Sequence, residues 1–103
     1  MGAVLHKGSL FLADYVEIVT TLSAENPGAA ERFCDAVEEA LALLTRHPQL
    51  GSMAGFRRAP GVRKWGIRRF PNYILFYEDR DQKLLLIRLL HGARDLPPLI
   101  PPP

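Results

Sequence analysis

Cysteine is almost missing from this chain. Cys34 stands alone, so no internal disulfide can form and the fold must rest on its apolar core. That usage suits a reducing cytoplasm, and Cys34 itself reads as a small buried apolar residue on a helix. No window supplies the roughly 18 uncharged apolar residues of a membrane span. The N-terminus lacks the charged start, apolar stretch and small-residue cleavage site of a secretion signal. A cytoplasmic protein with no membrane partner is expected. No Cys/His/Asp spacing fits a metal site, and no glycine-rich phosphate loop is present, so no cofactor is expected. There is no internal repeat.

Acid is also missing from one long stretch. Arg57, Arg58, Arg63, Lys64, Arg68 and Arg69 follow one another from Arg57 to Arg69 with no acid among them. Between Ser9 and His47 the balance reverses. Asp14, Glu17, Glu25, Glu31, Asp35, Glu38 and Glu39 face only Arg32 and Arg46. Two readings of this asymmetry stand side by side: a polyanionic or acidic partner for the second half, or a basic sheet edge that simply pairs with the chain's own acidic helices or faces water.

Nearly half of the 103 residues are apolar, which is the composition of one folded domain with a modest core. Ala3 to His6 reads as a short edge strand. Ser9 is a plausible N-cap for a helix in which Phe11, Tyr15, Ile18, Val19 and Leu22 share a face and Asp14 and Glu17 take the other side. Asn26-Pro27 stops that helix and starts the next, since Asn caps well and Pro suits the first helical position. Ala30, Phe33, Cys34, Val37, Leu41 and Leu44 then recur at helical spacing, with Glu31, Asp35, Glu38 and Glu39 outward, until Pro48. So short a connection makes an antiparallel helical hairpin.

Gln49 to Gly61 reads as a loop. Val62 to Phe70, Tyr73 to Glu78 and Lys83 to His91 read as strands, with turns at Pro71-Asn72 and at Asp79 to Gln82. They form an antiparallel meander. Leu96 to Pro103 carries five prolines and reads as an extended tail. The expectation is an α+β fold, with an N-terminal edge strand and a helical hairpin packed on a small antiparallel β-sheet. One domain would span residues 1–96, with a proline-rich tail over 97–103.

Tyr73 and Tyr77 share one face of their strand, and Ile74 and Phe76 the other. Two helices cover only one side of such a sheet. A second polypeptide is therefore expected on the other, and a homodimer would serve equally well. Trp65 shares a face with Ile67 and reads first as core, second as a binding hot spot. The strand Leu84 to Leu90 is apolar enough to be buried on both faces, and it delivers His91, Arg94 and Asp95 at its exit. These three read first as a latch where the chain leaves the sheet, and second as a contact or catalytic group.

The ordered series of features is similar to the ParE branch of the ParE/RelE toxin superfamily. It runs Asp14-Tyr15, Ile18, Asn26-Pro27, Ala30, Arg32-Phe33, Leu44, Pro48 and Gly51. It continues through Val62-Arg63, Phe70-Pro71-Asn72-Tyr73, Phe76-Tyr77, Arg88 and His91-Gly92-Ala93-Arg94-Asp95. The resemblance covers residues 4 to 97. It implies the toxin of a bacterial type II toxin–antitoxin pair, a growth inhibitor of the kind that stabilises plasmids. Such a toxin is neutralised by a cognate antitoxin, ParD-like, whose DNA-binding N-terminal half carries the complex to operator DNA. ParE proteins inhibit DNA gyrase, whereas RelE relatives cut mRNA on the ribosome.

A metal-free endoribonuclease needs a base, an acid and cations around one phosphodiester. The candidate base or acid is His91, with Tyr77 second, and the candidate cations are Arg63, Arg69, Arg88 and Arg94, of which His91, Arg94 and Tyr77 would be the catalytic set. RelE-type enzymes place a tyrosine or histidine near the C-terminus, and this chain has neither after His91. Gyrase inhibition needs no chemistry within the toxin, only a surface. The residues expected to meet target or antitoxin are Arg57, Arg58, Arg63, Trp65, Arg69, Tyr73, Tyr77, Arg88, His91 and Arg94. A third reading is a toxin-fold protein that only binds.

Overall fold

Two helices pack against one face of a five-stranded mixed sheet in a computed structural model that describes residues 2–92 and 97–101. In chain order the elements are β1 (Val4–Lys7), α1 (Ser9–Glu25), α2 (Pro27–Arg46), β2 (Ser52–Met53), β3 (Val62–Ile67), β4 (Phe70–Arg80) and β5 (Lys83–His91). A single 3-10 turn, Pro97–Leu99, follows. The sheet order is β1-β5-β4-β3-β2. β3, β4 and β5 form the expected antiparallel meander, and β1 lies at the edge, parallel to β5.

Asn26 divides the helices. Its backbone N–H donates to the Leu22 carbonyl at 2.7 Å and so caps α1. Its Oδ1 accepts from the Ala29 N–H at 3.2 Å and so caps α2, with Pro27 at the first helical position. Ser9 is not the N-cap of α1 but its first residue. Gly8 takes that place in extended backbone, with no side-chain cap. Its N–H donates to the Leu86 carbonyl, and a Cβ there would sit 2.7 Å from the same oxygen. The chain therefore passes from strand to helix too close to β5 for any side chain.

The turns lie elsewhere than the turn-forming residues suggested. β3 and β4 join through Arg68-Arg69, with Arg69 in the left-handed region at φ 71°. Pro71 and Asn72 are already in β4, since near the open end of a sheet a proline need not donate to the ladder. β4 and β5 join through Asp81-Gln82, both left-handed at φ 53° and 62°, the signature of a type I′ hairpin. β2 occupies two residues of the expected loop and pairs with Lys64 and Arg63.

A bulge in β5 resets the side-chain alternation. Phe76 pairs with Arg88 but Tyr77 with Leu86, so Ile87 is the extra residue. Leu84, Leu86 and Leu89 consequently all face the helices. There they join Phe11, Phe33, Ala36, Val37, Ala40, Leu41, Leu44, Ile67, Leu75 and Tyr77 in the main core. Trp65 and Tyr73 pack against its margin, as expected of the first. Phe33 sits at the centre, with edge-to-face contacts to Tyr15, Phe70 and Tyr73.

The other face of the sheet corrects an expectation. Phe76, Leu90 and Val62 point away from the helices, yet each is no more than 2% exposed. The cover comes from the chain itself. Ala54, Phe56 and Ala59 of the β2–β3 loop fold over that face, and Leu99 and Ile100 of the tail close it. No second polypeptide is needed to finish the sheet. The proline-rich segment is likewise not a free extended tail over its described residues, because Ile100 is buried.

Candidate functional site

One acid-base pair ties the fold together at the C-terminal half of β5. α1 was expected to turn Asp14 toward solvent, but the residue is 8% exposed. Its carboxylate accepts from Arg88 Nε and Nη2, both at 2.7 Å, and from the Leu89 backbone N–H at 3.0 Å. The second Nη of Arg88 donates to the Leu99 carbonyl at 2.8 Å. One guanidinium thus joins α1, β5 and the tail. The hydrogen bond to Asp14 raises the Arg88 pKa still further above its ordinary range, against the opposing pull of burial. The signal for this pair was present in the sequence: Asp14 stands three residues after Phe11 and four before Ile18, on the buried face.

Next to the pair is a cleft of about 190 Å³ lined by Asp14, Glu17, Ile18, Thr21, Tyr73, Leu89, Leu90 and His91. His91 ends β5 and meets the Tyr73 ring edge-on, with centroids 5.3 Å apart. The volume falls below the roughly 300–1,000 Å³ of typical small-molecule sites. Arg94 and Asp95 lie outside the described residues.

A second polar centre fixes the segment after α2. Tyr77 is fully buried; its hydroxyl donates to the Pro48 carbonyl and accepts from the Gly51 N–H, each at 2.8 Å. Burial raises its pKa, with smaller opposing effects from the Gly51 amide and Arg63. Arg63 closes the same segment by donating to the Gln49 and Gly51 carbonyls at 3.2 and 2.8 Å. Gly51 is obligatory in this arrangement. A Cβ there would lie 2.5 Å from the Tyr77 hydroxyl and 2.7 Å from the Lys64 carbonyl.

The remaining candidates are distributed along β3. Arg57 and Arg58 stand exposed on the loop before it, and Arg69 on the turn after it. The described structure therefore does not gather His91, Tyr77 and the cations around one point. Tyr73, which pairs with His91, and Tyr77 are four residues apart on β4, roughly 13 Å at strand rise. Among the described residues no three His, Cys, Asp or Glu side chains come together as a metal would require. Among the described residues no helix is long and apolar enough to cross a membrane.

Large apolar side chains remain exposed on the N-terminal elements. They are Val4 and Leu5 on β1 and Leu10, Leu12 and Val16 on α1, with Val4 and Val16 each 66% exposed. α1 is apolar round most of its circumference, unlike α2, whose outward face carries Glu31, Asp35, Glu38 and Glu39.

Comparison with known proteins fits this architecture. No match is found among curated protein sequences. Among solved structures, a chain of the chromosomal ParDE toxin–antitoxin system from P. aeruginosa is similar, with a TM-score of 0.72 at 17% identity. The match covers 86% of this chain and 95% of that one. The likeness at that identity is one of fold: two helices on a five-stranded mixed sheet. Residues 9–96 match the family described as the ParE toxin of the type II toxin–antitoxin system, parDE. With the match running from the first residue of α1 past the end of β5, the chain belongs to the ParE toxin family of type II toxin–antitoxin systems.

Proposed function

We propose that this chain is a cytoplasmic toxin that a cognate, ParD-like antitoxin holds inactive and that, once released, inhibits DNA gyrase without being an enzyme itself. Family membership over residues 9–96 carries the reading. The state of the candidate nuclease groups supports it. Tyr77 is buried with both roles of its hydroxyl taken, Arg88 is bound to Asp14, and Arg63 to two carbonyls. A ribonuclease of this size needs those groups free and convergent. The exposed apolar side chains of β1 and α1 favour a protein partner and offer the antitoxin its surface. Operator DNA would be reached through that antitoxin.

The test is controlled expression in a bacterial host. Growth arrest with accumulated gyrase–DNA cleavage complexes and an induced DNA-damage response is expected. Co-expression of the neighbouring antitoxin gene should restore growth. Ribosome-dependent mRNA cleavage without DNA damage would establish the RelE-type alternative. Undisturbed growth would leave a toxin-fold binding protein.

A further inference from the structure

Five exposed cations run along one edge region of the sheet with nothing to neutralise them. Arg57 and Arg58 precede β3, Lys64 lies within it, and Arg68 and Arg69 form the turn that follows. None has a hydrogen-bond or ion-pair partner among the described residues; the ion pairs there are Arg80–Glu78 and Arg88–Asp14. This narrows the readings of the charge asymmetry to a basic segment that faces water or one that meets a polyanionic or acidic partner. The basic segment does not pair with the acidic helices. α2 packs on the face that carries Trp65 and Ile67, whereas Lys64 shares the opposite face with Val62. Lys64 is therefore held away from the four outward acids of α2 by the thickness of the sheet. Unpaired positive charge of this kind attracts a polyanion before contact.

We infer that this strip binds the phosphate backbone of a nucleic-acid duplex without regard to base sequence. Lys64 and Arg68 are four residues apart, roughly 13 Å at strand rise, so these charges are separated rather than focused on one point. Separated charges suit successive phosphates. An acidic protein is the poorer occupant, because protein interfaces are anchored by buried apolar side chains. The large exposed apolar residues lie on β1 and α1, at Leu50 before β2 or, like Met53 opposite Arg63, on the helix side. The backbone is open at Gly66, where a Cβ would meet nothing within 4 Å, so a sugar-phosphate can come down onto the strand. The inference is separate from the gyrase reading, since it concerns the toxin alone.

Fluorescence anisotropy of the purified full chain with labelled DNA duplexes of two unrelated sequences tests it. Equal affinity for both is expected. Five phosphate contacts predict a slope of log K against log salt of about −4.5, a loss of about 500-fold between 50 and 200 mM. Arg57→Gln/Arg58→Gln and Arg68→Gln/Arg69→Gln, each confirmed folded by circular dichroism, should each reduce the slope by about two. No binding at 50 mM salt, a slope shallower than about −2, or unchanged binding by both variants would overturn the inference. So would a poly-glutamate peptide that displaces the duplex at equal charge, which would mark the strip as a site for acidic protein. Duplex binding by a chain that leaves gyrase untouched would sink the functional proposal and keep this one, and the reverse result would do the opposite.

Discussion

Replacing Asp14 by Ala should be among the most damaging single changes in this protein. The side chains of Arg88 and Asp14 are only 14% and 9% exposed. Removing the carboxylate leaves a guanidinium in the interior with a single carbonyl partner, Leu99, and leaves the Leu89 N–H unpaired. Breaking a buried ion pair from one side costs about 3–5 kcal/mol, and an orphaned amide alone costs about 1–3 kcal/mol, so a loss of about 4 kcal/mol is expected. For a domain of this size that lowers the melting temperature by on the order of 20 °C. Urea denaturation and thermal melts followed by circular dichroism measure it. Asp14→Asn keeps an acceptor for Leu89 and should lose about half as much. The double variant Asp14→Leu/Arg88→Met removes both charges and should recover to about 1–3 kcal/mol below the parent, because the gain from the pair roughly offsets its desolvation while the Leu89 N–H still lacks an acceptor. The Asp14→Ala loss should also survive 1 M salt, where an exposed pair would be screened. A loss below about 1 kcal/mol would falsify the claim that this pair locks α1 to β5.

Other outcomes follow from the same geometry. Tyr77→Phe should cost about 1–3 kcal/mol, since the Gly51 N–H and the Pro48 carbonyl both lose their partner. Tyr15 and Tyr77 both have raised pKa values, burial being the larger cause for each. The native state favours neutral phenols, so their contribution is complete below the ordinary tyrosine pKa of about 10 and is lost as pH climbs through the raised values. Stability measured between pH 9 and 12 should fall, and less steeply in Tyr77→Phe; a flat profile refutes this. Ile100→Ala should destabilise by about 2 kcal/mol and increase binding of a hydrophobic dye, because Phe76 and Leu90 lose part of their cover. An unchanged variant would mean the tail does not close that face. Gln82→Gly should stabilise by up to about 1 kcal/mol, since Gln82 holds φ 62° with a side chain that disfavours it; equilibrium unfolding in urea reads the sign.

The helical hairpin was plain in the sequence because its signals are local. Asn26-Pro27 punctuates it, and α2 separates apolar from acidic positions cleanly. The meander was legible for the same reason. What escaped depends on contacts distant in sequence. β2 is too short to carry a pattern, and its pairing with Arg63 and Lys64 exists only once β3 is in place. The β3–β4 turn falls on Arg68-Arg69, although Pro71-Asn72 has the stronger turn chemistry, because strand pairing determined the register. Asp14 was assigned outward by its charge, and only an arginine 74 positions later makes its burial tolerable. The cover of the second face was missed because a proline-rich sequence says what a segment cannot form, not where Ile100 will lie. Among the candidate site residues, the sequence identified the cations but could not say which are bound: Arg63 and Arg88 are engaged, while Arg57, Arg58 and Arg69 have no partner among the described residues.

The parallel pairing of β1 with β5 places the beginning of the chain against its end: Val4 lies opposite Lys83 and Lys7 opposite Leu86. The earliest strand to emerge during translation is thus among the last to find its neighbour. At roughly 5–20 residues per second the partner is synthesised on the order of 4–15 seconds later. Until then the helices can pair with each other but lack β5, the strand to which Asp14 ties α1. A transcript truncated upstream of Lys83 would yield a product lacking the keystone ion pair, the edge pairing and the tail's seal at once, so incomplete synthesis and failure to fold coincide.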